Sequence, residues 1–204
     1  MNTHPSRRHA GFTLVELLVV ITIIAILAGV GLPMALSALQ KAKKVTALAT
    51  CVSIEQAVSN FYTEYGAMPS ASTTDTPAAS PLDTTNGAGL ALVSALMGTE
   101  TATPPLNTRG IKYLSVKDGK AKGTTGGFNG MVYESSGTIR GIFDPWGGPY
   151  NIVLDGDYDE KISVKPKGTS VAVALNRRVA AWSNGADGAT TTTNGTASDD
   201  VKTW

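Results

Sequence analysis

The chain has a single cysteine, Cys51, among its 204 residues, so no disulfide can form within it. A domain built for an oxidising compartment then needs another way to hold its loops. Histidine is nearly absent as well: His4 and His9 both precede Gly11. From Gly11 onward, serine–histidine, cysteine–histidine and histidine-ligated zinc chemistry is therefore excluded. No glycine-rich phosphate loop follows a strand and opens a helix. Carboxylate-only chemistry of the glycosidase type is left open by the sequence, but the expectation is a protein that is not an enzyme. Excess charge is missing too. The formal net charge is +1, which removes the electrostatic case for a nucleic-acid partner.

What the sequence does have is one long apolar run. Leu17 to Leu39 contains no charged residue. As a helix this run spans roughly 34 Å, enough for a hydrocarbon core of about 30 Å. A secretory signal peptide would end in a small-residue cleavage site after a shorter run, whereas this one flows into "LQKAKK". On hydropathy alone an ordinary signal anchor is an equal reading. Basic residues flank both ends, Arg7 and Arg8 before and Lys41, Lys43 and Lys44 after, so charge does not set the orientation.

The helical pattern continues past the apolar run. Ala47, Cys51, Ile54, Val58, Phe61 and Tyr65 alternate in steps of four and three, the mark of one buried helix face. Cys51 falls on this stripe and reads as a small buried hydrophobe. The spacing predicts one helix from about Phe12 to Tyr65, roughly 80 Å long. Gly66 and Pro69 close it, and Pro33 is expected to bend it. Its lower half is apolar all round and its upper half is striped, which predicts a bare stem whose upper part packs on a head.

The head is expected to be α+β. Ser70 to Thr108 is rich in Pro, Ser, Thr and Gly and reads as loops around a short helix in "GLALVSALMG". The β-like runs "IKYLSV", "MVYESS", "TIRGIF", "YNIVL", "KISVKP", "SVAVAL" and "VAAWS" follow, and they predict a small antiparallel sheet on the upper helix. In "DGDYDEK" the acids Asp155, Asp157 and Asp159 alternate as in the start of an EF-hand loop. Glu160 and Pro166, however, stand where that loop needs Gly and Glu. Asp155-Gly156 is instead expected to turn a hairpin between "YNIVL" and "KISVKP". The Asn194-Gly-Thr sequon reads as turn composition.

The N-terminal residues carry a resemblance. "GFTLVELLVVITIIAILAGVGLP" is similar to the signature of type IV pilins and of the pseudopilins of type II secretion: a short basic leader, Gly11, the apolar aromatic Phe12, Glu16, then a long apolar helix with a proline. The resemblance implies a pilin-like lollipop fold, cleavage after Gly11 by a prepilin peptidase and N-methylation of Phe12. It implies a leader over residues 1–11, a membrane-spanning or filament-core helix over 12–39, an amphipathic stem half over 40–66 and a globular head over 67–204. It also implies that Glu16 meets the terminal amine of a neighbouring subunit during assembly. A carboxylate in hydrocarbon costs about 2.5–3.5 kcal/mol and needs such a partner; snorkelling to the interface is the alternative.

Two head motifs resemble those of major pseudopilins. "DPWGGPY", Asp144 to Tyr150, is similar to their "DPWGNPY" and reads physically as a rigid turn with Trp146 and Tyr150 packed on the sheet. The ending "WSNGADGATTTTNGTASDDVKTW" is similar to their calcium-binding terminus, with a longer gap between its acids. The resemblance implies a structural calcium held by the side chains of Asp187, Asp199 and Asp200 and by the carbonyls of Asn184 and Thr203. All-oxygen ligands suit calcium's tolerant shell. A solvated loop without metal is the alternative.

The resemblance therefore implies a subunit of a periplasmic pseudopilus that drives protein export by type II secretion. Its implied partners are further copies of itself, prepilin peptidase, other pseudopilins and the inner-membrane secretion platform, with membrane lipid before assembly and no nucleic acid. Its implied location is the inner membrane, single-pass, with the head in the periplasm. A type IV pilin serving adhesion, motility or DNA uptake, and a membrane-anchored calcium-stabilised binding module, are the alternatives.

Overall fold

The computed structural model describes residues 12–165, 171–186, 188 and 199–204, without the side chains of residues 30–33. The chain divides into two compact units, Met1–Ala42 and Lys43–Trp204. Helix α1 runs unbroken from Leu14 to Tyr65; the bend expected at Pro33 lies outside the described side chains. In the first unit the apolar side chains stand bare, from Val20 at 46% exposed to Phe12 at 81%. That much contiguous apolar surface marks a segment made for lipid or for other chains, and α1 is long and apolar enough to cross a membrane.

In the second unit the predicted stripe is buried. Ala47, Cys51, Ile54, Val58 and Phe61 are at most 1% exposed, and Tyr65 packs beside them. Gly66, with φ 66°, takes the left-handed turn that ends α1, donating its N–H to the Tyr62 carbonyl at 2.8 Å. The burial of Cys51 pushes its thiol pKa up, as expected for a small hydrophobe.

The head is α+β, as predicted. In chain order its elements are β1 (Leu82–Asp83), α2 (Gly87–Met97), β2 (Lys120–Lys122), β3 (Gly126–Phe128), β4 (Gly130–Tyr133), β5 (Ile139–Phe143), β6 (Tyr150–Leu154), β7 (Ile162–Val164), β8 (Val173–Leu175), β9 (Val179–Ser183) and β10 (Val201–Lys202). The main sheet has the order β1-β6-β9-β10, with antiparallel pairs throughout. Strands β2 with β3, β4 with β5, and β7 with β8 form two-stranded ribbons. Strands β6 and β9 are buried along their whole length. Tyr150, Ile152, Leu154 and Ala181 face the α1 stripe and Leu92 and Leu96 of α2. Val153, Ala180 and Trp182 point the other way, into a second core with Ile162 and Val164 of β7. Period-2 alternation thus feeds two cores from two strands.

Three expectations are corrected. "IKYLSV" forms no strand and joins no sheet. Tyr113 and Leu114 donate their N–H groups to the Leu96 carbonyl at the end of α2, and Ser115 offers its carbonyl to the Ser53 hydroxyl. The segment satisfies a helix end instead of a ladder. Asp155-Gly156 does not join β6 to β7 in a hairpin, because β6 pairs with β1 and β9 while β7 pairs with β8. There the buried Asp155 carboxylate accepts the N–H groups of Tyr158 and Glu160 at 2.7 and 3.0 Å, and Gly156 lies so close to Thr74 that a Cβ would fall 2.0 Å from its carbonyl oxygen. Finally, α2 begins two residues before the predicted "GLALVSALMG".

Candidate functional site

The N-terminal end of α1 is closed by a reciprocal cap. Thr13 donates its N–H (2.9 Å) and hydroxyl (2.7 Å) to Glu16 Oε2, and Glu16 N–H donates to Thr13 Oγ1 at 3.2 Å. This T-x-x-E capping box satisfies helix-end donors that would otherwise be orphaned. The signal "TLVE" was available in the sequence as a capping pattern, yet the reading there gave Glu16 only assembly and snorkelling roles. Phe12 precedes the cap and is exposed. Gly11 and the rest of the leader lie outside the described residues.

The expected calcium ligands are distributed as follows. Asp199 lies against the turn after β9: Ala186 donates its N–H to Asp199 Oδ2 at 2.5 Å, and a Cβ on Gly185 would fall 2.6 Å from Asp199 Cγ. Asn184 belongs to that turn, and its side-chain oxygen accepts from Trp182 Nε1 at 3.1 Å and from Asn151 Nδ2 at 3.4 Å. The Asp200 side chain is 1% exposed and sits 3.3 Å from Lys202 Nζ. The Thr203 carbonyl accepts from Arg177 at 3.4 Å. Asp187 lies outside the described residues. The turn therefore brings Asn184 and Asp199 together, while Asp200 and Thr203 also bind cationic side chains.

Two acids tie this region to the rest of the head: Glu55, which the sequence reading passed over, and Asp144, which it placed only in a turn. Glu55, on α1, accepts the Ala181 N–H of β9 at 3.1 Å, the Arg177 guanidinium at 3.4 Å and the Thr203 hydroxyl. Partial burial holds its pKa above the usual carboxylate range, against the pull of Thr203, Ala181 and Arg177. Trp204 then closes edge-on against Trp182, with ring centres 5.5 Å apart. Asp144 opens the "DPWGGPY" turn and is 1% exposed. Its Oδ1 accepts the N–H groups of Trp146, Gly147 and Gly148 at 2.9, 2.7 and 2.8 Å. Its Oδ2 accepts the Ser183 hydroxyl of β9 at 2.5 Å. The rigid turn was legible from Asp-Pro and Gly-Gly; the bond to β9 depends on a residue 39 positions away.

A further acidic group stands at the loop after β6. Carboxylate oxygens of Asp75, Asp157 and Asp159 lie within 4.8 Å of one another. Gly156 donates its N–H to Asp75 Oδ1 at 2.9 Å, and Lys161 Nζ approaches Asp159 at 3.6 Å. The alternating acids were noted in the sequence, but the contribution of Asp75, 82 positions before Asp157, was not.

No curated protein and no solved structure matches the chain. Residues 6–32 match the prokaryotic N-terminal methylation motif. That match covers the end of the leader from Ser6, Gly11, Phe12, the Thr13–Glu16 cap and the apolar run as far as Leu32, and it is a type IV pilin-like signal of the kind that prepilin peptidase processes.

Proposed function

We propose that this chain is a structural subunit of a periplasmic pseudopilus that drives protein export by type II secretion. The observation that carries the filament reading is the methylation motif at residues 6–32, continued by a helix whose apolar side chains are bare. Such a surface is stable in lipid, and it is equally stable packed against identical stems, so a subunit can leave the bilayer without exposing it to water. "DPWGGPY" and "DDVKTW" favour the pseudopilin over the type IV pilin, as does the lack of a cysteine pair. In this reading prepilin peptidase cleaves after Gly11, Phe12 is N-methylated, and the chain spans the inner membrane once with its head in the periplasm. Other pseudopilins and the inner-membrane platform are its assembly partners.

The test is made in the native cell. The protein from the envelope should begin at N-methylated Phe12, and deleting it should leave exported enzymes stranded in the periplasm. An intact Met1 terminus beside an active prepilin peptidase would count against processing. Loss of surface pili with export intact would select the type IV pilin reading.

We also propose that the C-terminal loop takes a structural calcium. The donor set is all oxygen and suits a hard cation. Asp199, Asp200, the Asn184 and Thr203 carbonyls and Asp187 would hold it, with Asp200 shared between the ion and Lys202. An ion that binds only the folded state stabilises it by about 2.7 kcal/mol at a hundredfold excess over Kd. For a head of this size that raises the melting temperature by about 5–10 °C. Chelation should reverse the gain and Asp200→Ala should abolish it. A melting curve that millimolar calcium leaves unmoved would show that the Glu55, Thr203 and Trp204 contacts close the loop unaided.

A further inference from the structure

The head carries two patches of opposite charge, and strand β6 separates them. At the Tyr150 end, Asn129 donates its N–H to the Asp144 carbonyl at 2.8 Å, which fixes the β2–β3 ribbon beside the turn that leads into β6. That ribbon and its approach present Lys117, Lys120 and Lys122, all exposed, with one exposed acid, Asp118, among them. Among the described residues no carboxylate forms an ion pair with any of them. Lys122 instead lies 4.9 Å from the centre of the Phe128 ring. At the Leu154 end, Thr76 donates its N–H to the Leu154 carbonyl at 3.0 Å. This places Asp75 beside Asp157 and Asp159, whose exposed carboxylates crowd one another. Strand β6 has five residues, so the two ends are separated by about 13 Å or more.

Patches of opposite sign at the two ends of a surface can meet those of a second copy, and in a filament they meet head to tail, in contacts that repeat without closing. We infer that the lysine-bearing β2–β3 ribbon of one copy docks on the Asp75, Asp157 and Asp159 loop of the next copy, setting the register of neighbouring heads. This inference rests on the filament reading above. The occupant is a second copy because the acidic loop on the same chain supplies the complement that the lysines lack. The contact relieves the mutual repulsion of the three carboxylates, which Lys161 beside Asp159 offsets only in part, and complementary charge fixes orientation and suppresses wrong registers more than it adds raw affinity. Edge lysines also discourage stray strand pairing; that role alone requires no acidic partner, and the experiment separates the two.

The experiment uses the full chain expressed with prepilin peptidase and the assembly machinery. Thr124→Cys at the exposed tip of the ribbon and Thr73→Cys beside the acidic loop leave every charge in place, and the buried Cys51 stays silent. Filaments built from both variants together should yield a mixed cross-linked dimer that neither variant yields alone. Lys120→Glu with Lys122→Glu should lower filament yield about tenfold, equivalent to about 1.4 kcal/mol. Adding Asp157→Lys and Asp159→Lys should restore it to within about twofold. Filaments that form normally without the mixed cross-link, or that tolerate the reversed ribbon, overturn the inference and leave the filament reading intact. A reversed ribbon that assembles but blocks export also overturns it, since the lysines then meet another protein. A wild-type chain that forms no filament overturns the filament reading itself.

Discussion

Glu16→Ala is expected to leave membrane insertion and cleavage after Gly11 intact while lowering filament yield by at least about tenfold. In the proposed reading, the physical basis is the terminal amine that cleavage would create on Phe12. Within packed apolar stems an unpaired charge costs about 2.5–3.5 kcal/mol, which converts to a factor of tens to hundreds in association. The apolar side chains of α1 supply adhesion all round, but they favour no single axial register; a charge pair does. The capping box complicates the alanine variant, since Glu16 Oε2 also accepts from Thr13 N–H and hydroxyl. Losing that cap costs about 1 kcal/mol and frays the first turn. Glu16→Gln separates the two effects, because its amide oxygen can still accept from Thr13 but carries no charge. If the charge pair drives docking, Gln should assemble almost as poorly as Ala. Wild-type filament yield in Glu16→Gln would assign the residue to the cap alone.

The second large effect concerns the head. Asp144→Ala should destabilise it by about 3–5 kcal/mol, because buried donors left without an acceptor each cost about 1–3 kcal/mol. The donors are the N–H groups of Trp146, Gly147 and Gly148 and the Ser183 hydroxyl. A drop of about 10 °C or more in the melting temperature of the stem-deleted head would follow. Asp144→Asn should cost less, since its Oδ1 can still accept the three N–H groups.

Acidity provides an independent check. Burial raises the Asp144 pKa, against the pull of its hydrogen bonds. A carboxyl whose folded pKa lies above its unfolded value of about 3.9 favours folding most when protonated. Its contribution is complete below the unfolded value and is lost as pH rises through the folded one. Glu55 and Asp155 are shifted the same way, each chiefly by burial. These three groups should therefore stabilise the head less as pH rises above the ordinary carboxylate value of about 4, and the loss should be smaller in Asp144→Asn. A melting temperature that falls with pH as steeply in Asp144→Asn as in the wild type would contradict the assignment.

Local signals carried much of this protein. The apolar run from Leu17 to Leu39 and the stripe from Ala47 to Tyr65 are periodic patterns, and periodicity survives without knowledge of the partner surface. Gly66 as a helix stop and the turn in "DPWGGPY" are likewise set by a few adjacent residues. The strands "YNIVL" and "VAAWS" are apolar enough to announce themselves, and both are buried throughout.

What only the tertiary structure decided was pairing. Neither "YNIVL" nor "KISVKP" states that its partner is β9 or β8, since antiparallel neighbours are chosen by what covers each face. The ribbon β2–β3, built on "KAK" and "GGF", has weak strand propensity and is held by bonds from its two ends, Asn129 to the Asp144 carbonyl and Gly119 to the Met131 carbonyl. The acids show the same division. The Thr13–Glu16 cap lay within reach of a sequence reading, though it was passed over, because its two residues are three positions apart. Glu55 meets Thr203 across 148 positions and Asp144 meets Ser183 across 39, and the gathering of Asp75 with Asp157 and Asp159 depends on two loops meeting at the end of β6. A carboxylate's role is set by the donors and charges that reach it, and over such separations only the folded chain brings them together.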